Sequence, residues 1–318
     1  MPEFDPNALT RRRALAIASL ATGLVATNSL GIASAAAKDD QAARTWRNTT
    51  ARIEEIIQAK GTDANGVFSI EVDRDDITNV TLGDIPIKPS FQINGSLNFQ
   101  PMGGHVAMNS DMALKGSEIV PFIDQLLQHN IIIQAEHQHF YGFDPMVWYI
   151  HFRAIGEPLM IAKGVKAALS VTSTPFPQTE PTNPTTPLPA KRLGQILGGS
   201  PTIGADGVVT VNVPRNRPVT LGGVRISPFL NIPTGVVFQP FGGGQNAAAA
   251  PDFAMTPSEV QNVLAVMRAQ HWDIGCLYNQ ETDEFPQLFF SHQIKTGDAI
   301  ELAREVRRGL DHTDSKRA

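Results

Sequence analysis

At 318 residues, with 42% hydrophobic and 18% charged residues, the chain has ordinary globular composition and room for two domains. Its formal charge of −5 argues against the basic footprint of a nucleic-acid-binding protein. The single cysteine, Cys276, excludes an intramolecular disulfide framework and any multi-cysteine zinc or iron–sulfur centre; lying in the apolar run WDIGCLY, it is read as a buried structural thiol.

Residues 1–35 read as an export signal: Thr10-Arg11-Arg12-Arg13-Ala14-Leu15, a modestly apolar stretch, then Ala33-Ser34-Ala35. The paired arginines ahead of the apolar run are those of a twin-arginine signal, with a general secretory signal as the alternative. Thr22, Gly23, Thr27, Asn28, Ser29 and Gly31 interrupt the run, so no permanent transmembrane anchor is expected, and no cysteine stands near the cleavage region for lipid anchoring. The leader carries net +1, Arg11, Arg12 and Arg13 against Glu3 and Asp5, leaving about −6 on the remainder. The expected product is a soluble periplasmic or secreted protein.

Apolar positions Trp46, Ile53, Ile56 and Ile57 predict an amphipathic helix over 44–60. Residues 80–104 (VTLGDIPIKPSFQINGSLNFQPMGG) then align without gaps on residues 219–243 (VTLGGVRISPFLNIPTGVVFQPFGG), an internal repeat. At a shift of 141 residues the likeness continues: Ser117-Glu118 meets Ser258-Glu259, Pro145 meets Pro286 and His151 meets His292. A first repeat domain over 45–172 and a second over 191–312 follow, joined by an extended Pro/Thr-rich linker over 173–190.

Period-two alternation predicts strands at 67–72 and 208–213, with further strands around 97–100, 236–239 and 105–114. Asn94-Gly95 reads as a hairpin turn and the FQPMGG glycines as a tight turn. Asp73, Asp75 and Asp76 lack calcium-loop spacing and read as a solvated loop. Ser117 and Ser258 are the expected caps of helices carrying Ile119, Phe122, Ile123 and Leu126 in one copy and Val260, Val263, Leu264 and Met267 in the other. Closing helices are expected over 159–169 and 300–310. Helices segregated from antiparallel strands define an α+β fold: two homologous two-layer domains related by a pseudo-twofold, with a cleft or shared sheet between them.

The chemistry concentrates in residues 135–152, AEHQHFYGFDPMVWYIHF, which hold three of the eight histidines on an expected hairpin. Alternation puts His137 and His139 on one face. Pairing of 139 with 149 and 137 with 151 brings His151 to them. Three imidazoles suit a divalent transition metal, zinc foremost, with Asp144, Glu136 or His105 as possible fourth ligands. The competing readings are core histidines on an apolar face (Ile131, Ile133, Ala135, Val147, Tyr149) meeting the helices, and metal-free acid–base catalysis. In the second copy His137, Gln138 and His139 become Tyr278, Asn279 and Gln280 while His151 persists as His292, so His292 is read as structural and the H-x-H pair as the special part. No G-x-S-x-G, phosphate-loop or H-E-x-x-H motif is present.

The 80–104 block, the helix near Ser117, and His137-Gln138-His139 with Pro145 and His151 resemble the duplicated domain of LppY/LpqO-type bacterial envelope lipoproteins, over roughly residues 45–310. Members carry H-N-H followed by an acidic residue and proline; Asp144-Pro145 matches, and Gln138 replaces the asparagine. The resemblance implies an exported, duplicated domain without established activity. The lipoprotein cysteine is missing, and the absent second H-x-H limits a histidine site to the first copy. These readings lead to an envelope-side protein binding a metal ion or a small ligand or envelope component. A metal-dependent hydrolase and an interaction scaffold are the alternatives.

Overall fold

The structure, a computed structural model, describes residues 28–179 and 184–317, with side chains from residue 40. The segment expected to be an export signal therefore lies, through residue 27, outside the described residues, as do positions 180–183 of the expected linker. The chain forms two compact units, residues 1–45 and 46–318, and both repeats belong to the second. No described helix is long and apolar enough to cross a membrane.

The first repeat runs α1 (Asn28–Ile57), β1 (Thr62–Ala64), β2 (Val67–Asp73), β3 (Thr81–Leu82), β4 (Ile85–Pro86), β5 (Asn94–Met102), β6 (His105–Leu114), α2 (Ile119–Gln128), β7 (Ile132–His137), β8 (Phe143–Asp144), β9 (Trp148–Gly156) and α3 (Pro158–Leu169). The second runs α4 (Ala190–Leu197), β10 (Ser200–Ile203), β11 (Val209–Val213), β12 (Val219–Leu221), β13 (Val224–Ile226), β14 (Thr234–Pro240), β15 (Asn246–Met255), α5 (Pro257–Ala269), β16 (Asp273–Ile274), β17 (Glu284–Phe285), β18 (Phe289–Asp298) and α6 (Ala299–Leu310). Each repeat builds its own six-stranded antiparallel sheet, β1-β2-β5-β6-β9-β7 and β10-β11-β14-β15-β18-β16, beside a three-stranded one. The α+β class holds, and among the described residues no sheet is shared between the repeats.

Alternation decides what each face covers. Phe68, Ile70, Leu97, Phe99, Met108, Met112, Ile150 and Phe152 point to one side and pack with Ile53, Phe122, Leu126, Ala162 and Val165 of the helices. Val209, Val211, Val236, Phe238, Phe253 and Met255 do the same in the second repeat. The opposite faces meet the other repeat. Ala113, Val147 and Tyr149 join Val208, Val237, Ala248 and Ala250 in one apolar cluster, and Val67 and Ala107 join Val219, Leu221, Leu230 and Phe290 in another.

Several local expectations are corrected. α1 stops at Ile57, before Lys60, with Gln58 at positive φ. Asn94-Gly95 opens β5 instead of turning a hairpin; a side chain at Gly95 would sit 2.4 Å from Met112 Sδ and 2.7 Å from the Asp111 carbonyl. The caps are not Ser117 and Ser258. Glu118 accepts from the Lys115 N–H at 2.9 Å and Glu259 from the Thr256 N–H at 2.7 Å, each closing its helix start from three residues within. The same glutamates hold fully or nearly fully buried arginines, Arg74 to Glu118 at 2.8 Å and Arg215 to Glu259 at 2.9 Å, and these arginines also donate to the Ala113 and Ala254 carbonyls. Asp76 is consequently no solvated-loop carboxylate: burial opposes its charge, yet Arg74 and Lys115 hold it down at about 2.

The FQP glutamines fasten one repeat to the other. Gln239 accepts from the Lys88 N–H at 2.9 Å and donates to the Pro86 carbonyl at 2.6 Å. Gln100 accepts from the Ser227 N–H at 2.6 Å and donates to the Arg225 carbonyl at 3.4 Å. A shift of 139 residues converts one pair of bonds into the other, so the repeated block of sequence is largely the block that makes these reciprocal contacts.

Candidate metal centre

β9 carries His151 and lies between β6 and β7. The β7–β9 register pairs His137 with Tyr149 and Ala135 with His151, a shift of two from the expected pairing, with an irregularity between Ile133 and Ala135. Because the shift is even, His137 and His151 still share a face. His139 lies beyond the end of β7, in the segment leading to β8. Of the apolar face expected to meet the helices, Ile131 and Ile133 do so; on β9 the helix side is taken by Ile150, Phe152 and Ala154, so Val147, Tyr149 and His151 look toward the second repeat.

There the imidazoles converge. His137 Nε2 lies 3.0 Å from His151 Nε2, and one ring nitrogen from each of His137, His139 and His151 falls within 4.8 Å of the others. Ligands at zinc–nitrogen distances of about 2.0–2.1 Å stand about 3.3 Å apart in a tetrahedron, which is the scale of this cluster. His137 Nδ1 is 3.3 Å from the Gln138 carbonyl. A carbonyl only accepts, so Nδ1 carries the proton and Nε2 presents its lone pair toward His151. His139 and His151 are 4% and 2% exposed, and His139 Nδ1 and Nε2 and His151 Nδ1 have no hydrogen-bond partner. Buried polar atoms are ordinarily satisfied, and these three ring nitrogens are left able to take a ligand. Burial brings the His137 ring down to about 3 and takes His139 and His151, with the neighbouring histidines adding to it, well below the usual range. Neutral imidazole is the ligating form.

The second repeat supplies the walls. Tyr278, the counterpart of His137, stacks on the His137 ring with centroids 3.6 Å apart, and His292 stacks on His139 at 3.7 Å. His292 Nδ1 is 3.3 Å from Cys276 Sγ and 3.6 Å from Asp252 Oδ1. Asp252 pairs with His292 across β15 and β18 as Asp111 pairs with His151 across β6 and β9. Burial, then Asp111, lifts the Asp252 carboxyl to about 8, and burial lifts Asp111 to about 6. Cys276 is buried, and its thiol is pushed up by burial and by Asp252, which keeps it protonated. All three histidines of the centre come from the first copy, as expected, and the second copy borders them.

Asp144, Glu136 and His105, the expected fourth ligands, do not join it. Asp144 is exposed on β8 opposite Thr81, Glu136 is exposed on β7, and His105 is exposed at the start of β6. Among the described residues His137, His139 and His151 form the metal-competent group. A further buried polar network was invisible to sequence reading: Glu281, 4% exposed, accepts from Asn109 at 2.7 Å, Gln134 at 2.9 Å and Gln280 at 3.1 Å. The 141-residue shift was the available signal for Asp252 and His292; nothing in the sequence links Glu281 to Asn109.

Fold and site together define an internally duplicated α+β protein with a buried three-histidine centre against the repeat–repeat boundary. The chain belongs to the family described as Domain of Unknown Function (DUF1259), whose model matches residues 51–171 and again 191–312. No curated protein matches it. Among solved structures, the trimeric bacterial microcompartment shell protein PduB is 12% identical, with 80% of this chain and 92% of that one covered at a TM-score of 0.20. EtuB from Clostridium kluyveri is 9% identical, with 80% and 91% covered at a TM-score of 0.19.

Proposed function

We propose that the protein is an exported, envelope-side metal-binding protein that holds one divalent transition metal, zinc by preference, through His137, His139 and His151. The observation that carries the reading is the set of unpartnered nitrogens on the nine-tenths-buried His139 and His151 beside a His137 whose Nε2 lone pair faces them. Imidazole is a borderline ligand suited to zinc, copper, nickel or iron; zinc is put first because three histidines with a fourth position left open are an established zinc arrangement. Export rests on the paired arginines of the leader and on the resemblance to LppY/LpqO-type envelope domains.

Titration of metal-free protein with zinc tests it. The wild type is expected to take up about one equivalent, and the His137→Ala/His139→Ala variant none above background. A wild type that takes up no zinc, copper, nickel or iron rules the reading out. Fractionation of expressing cells tests the location: the chain is expected outside the cytoplasm, and Arg11→Lys/Arg12→Lys is expected to retain it inside.

A further inference from the structure

We propose that His292 of the second repeat is a positioning residue for the metal centre, holding the His139 ring in its ligating pose, so that the site works only as a composite of both repeats. The inference rests on the reading of His137, His139 and His151 as ligands and says what makes that set rigid.

The three histidines are not equally well fixed. His137 and His151 sit on paired strands, and His137 is further held through Nδ1 to the Gln138 carbonyl. His139 follows the end of β7, outside the ladder, and neither of its ring nitrogens has a hydrogen-bond partner. No polar contact orients that ring. Stacking does: His139 lies between Tyr149, at 3.2 Å and 5° between planes, and His292, at 3.7 Å and 18°. Tyr149 comes from the first repeat and His292 from the second, so half of the clamp belongs to the other copy.

His292 is itself restrained. It stands on β18 paired with Asp252, its Nδ1 faces Asp252 Oδ1 and Cys276 Sγ, and its carbonyl accepts from the Gly275 N–H at 2.8 Å. The backbone beside it also braces His139. A side chain at Gly275 would stand 2.4 Å from the His139 carbonyl oxygen and 2.6 Å from Phe140, so the second repeat runs directly against the segment carrying that ligand. The aligned residue of the first repeat is Gln134, so the small residue belongs to the copy that does the bracing.

The geometry also separates positioning from ligation. Imidazole lone pairs lie in the ring plane. Two rings stacked nearly parallel present those lone pairs side by side, and they do not converge on one ion. His292 Nδ1 is moreover turned to Asp252 and Cys276. What His292 gives the site is a ring face, which explains why the second copy can lose its own H-x-H pair and still keep this histidine. Partners that orient a ligating histidine change metal affinity by about 10–100-fold when removed, and a change within that range is expected here.

The test compares wild type, His292→Ala and His292→Phe by zinc titration against a competing chelator and by visible absorption after loading with cobalt(II). His292→Ala is expected to bind zinc at least about tenfold more weakly and to shift the cobalt d–d bands, because His139 is free to turn. His292→Phe keeps the ring face without nitrogen and is expected to restore both affinity and spectrum to near wild type. A His292→Ala protein that melts lower yet binds zinc with wild-type affinity and spectrum overturns the proposal while leaving the three-histidine reading intact. A His292→Phe protein as impaired as His292→Ala overturns it in favour of a nitrogen-dependent role. A wild type that binds no metal overturns both readings. Should His292→Ala fail to fold, the His292→Phe comparison still decides.

Discussion

An imidazole that is 4% exposed and has no hydrogen bond at either nitrogen is unusual, and His139 is such a residue. Its position depends on what touches its ring and its carbonyl, and Gly275 runs against that carbonyl. Gly275→Ala is therefore expected to displace the His139 segment and weaken zinc binding by about tenfold; unaltered affinity in a folded variant would show that the close approach is immaterial. Glu281 offers a test away from the metal ligands. Burial raises its carboxyl to about 7 despite the three donors around it, so the folded protein keeps a proton that the unfolded chain has lost above the ordinary carboxylate range. Stability attached to this group is full at low pH and is lost as pH rises through about 7. Glu281→Gln removes that dependence, and the loss of stability between about pH 5 and about pH 7, read from urea unfolding, is expected to be smaller than in the wild type. An unchanged slope would place the titration elsewhere. The histidine cluster was legible at this scale because His137 and His151, an even number of residues apart, stay on one face through an even register shift. His292 was not, because its role comes from a ring stacked on a residue 153 positions away in sequence.

Strands and helices followed their periodicity closely: β6 covers the expected 105–114, and α3 and α6 each begin one residue earlier than expected. The caps were missed for a physical reason. A serine before an apolar stripe is a local signal, whereas Glu118 and Glu259 are chosen by arginines 44 positions upstream. Each glutamate closes a helix start, neutralises a buried guanidinium, and accepts a backbone N–H from the chain beyond the closing helix, Ser173 in one repeat and Asp314 in the other, both at 2.8 Å. Removing one partner of such a buried pair leaves an uncompensated charge. Glu118→Ala, which leaves the fully buried Arg74 with Asp76 as its remaining carboxylate partner and frees the Lys115 and Ser173 N–H groups, is expected to cost about 3 kcal/mol in urea unfolding; a loss below about 1 kcal/mol would mean that the pair contributes no more than a surface contact.

Across the whole repeat pair, the duplication was readable from sequence, but what the copies do to each other was not. The aligned glutamines, Gln100 and Gln239, each reach the 86–88 or 225–227 segment of the opposite copy, and a turn motif in one dimension becomes a reciprocal latch in three. At a net value of about 1 kcal/mol for each hydrogen bond, Gln100→Ala/Gln239→Ala is expected to lose a few kcal/mol and to weaken zinc binding with it, since the centre lies against the boundary that the latch holds. Full stability in that variant would deny the latch its role. Val147 and Tyr149 were expected to meet the helices and instead look toward the other repeat, while Ile150 and Phe152 take the helix side, because in a duplicated protein both faces of each sheet have a partner. The central claim remains that three histidines, braced by both copies, hold a metal. Its most direct test is the metal content of the protein purified without a metal-binding tag and without added metal. About one equivalent of a single transition metal, lost together with the His137 and His139 side chains, is the expected result. Less than about a tenth of an equivalent of any transition metal, with no uptake when zinc, copper, nickel or iron is supplied, would contradict it.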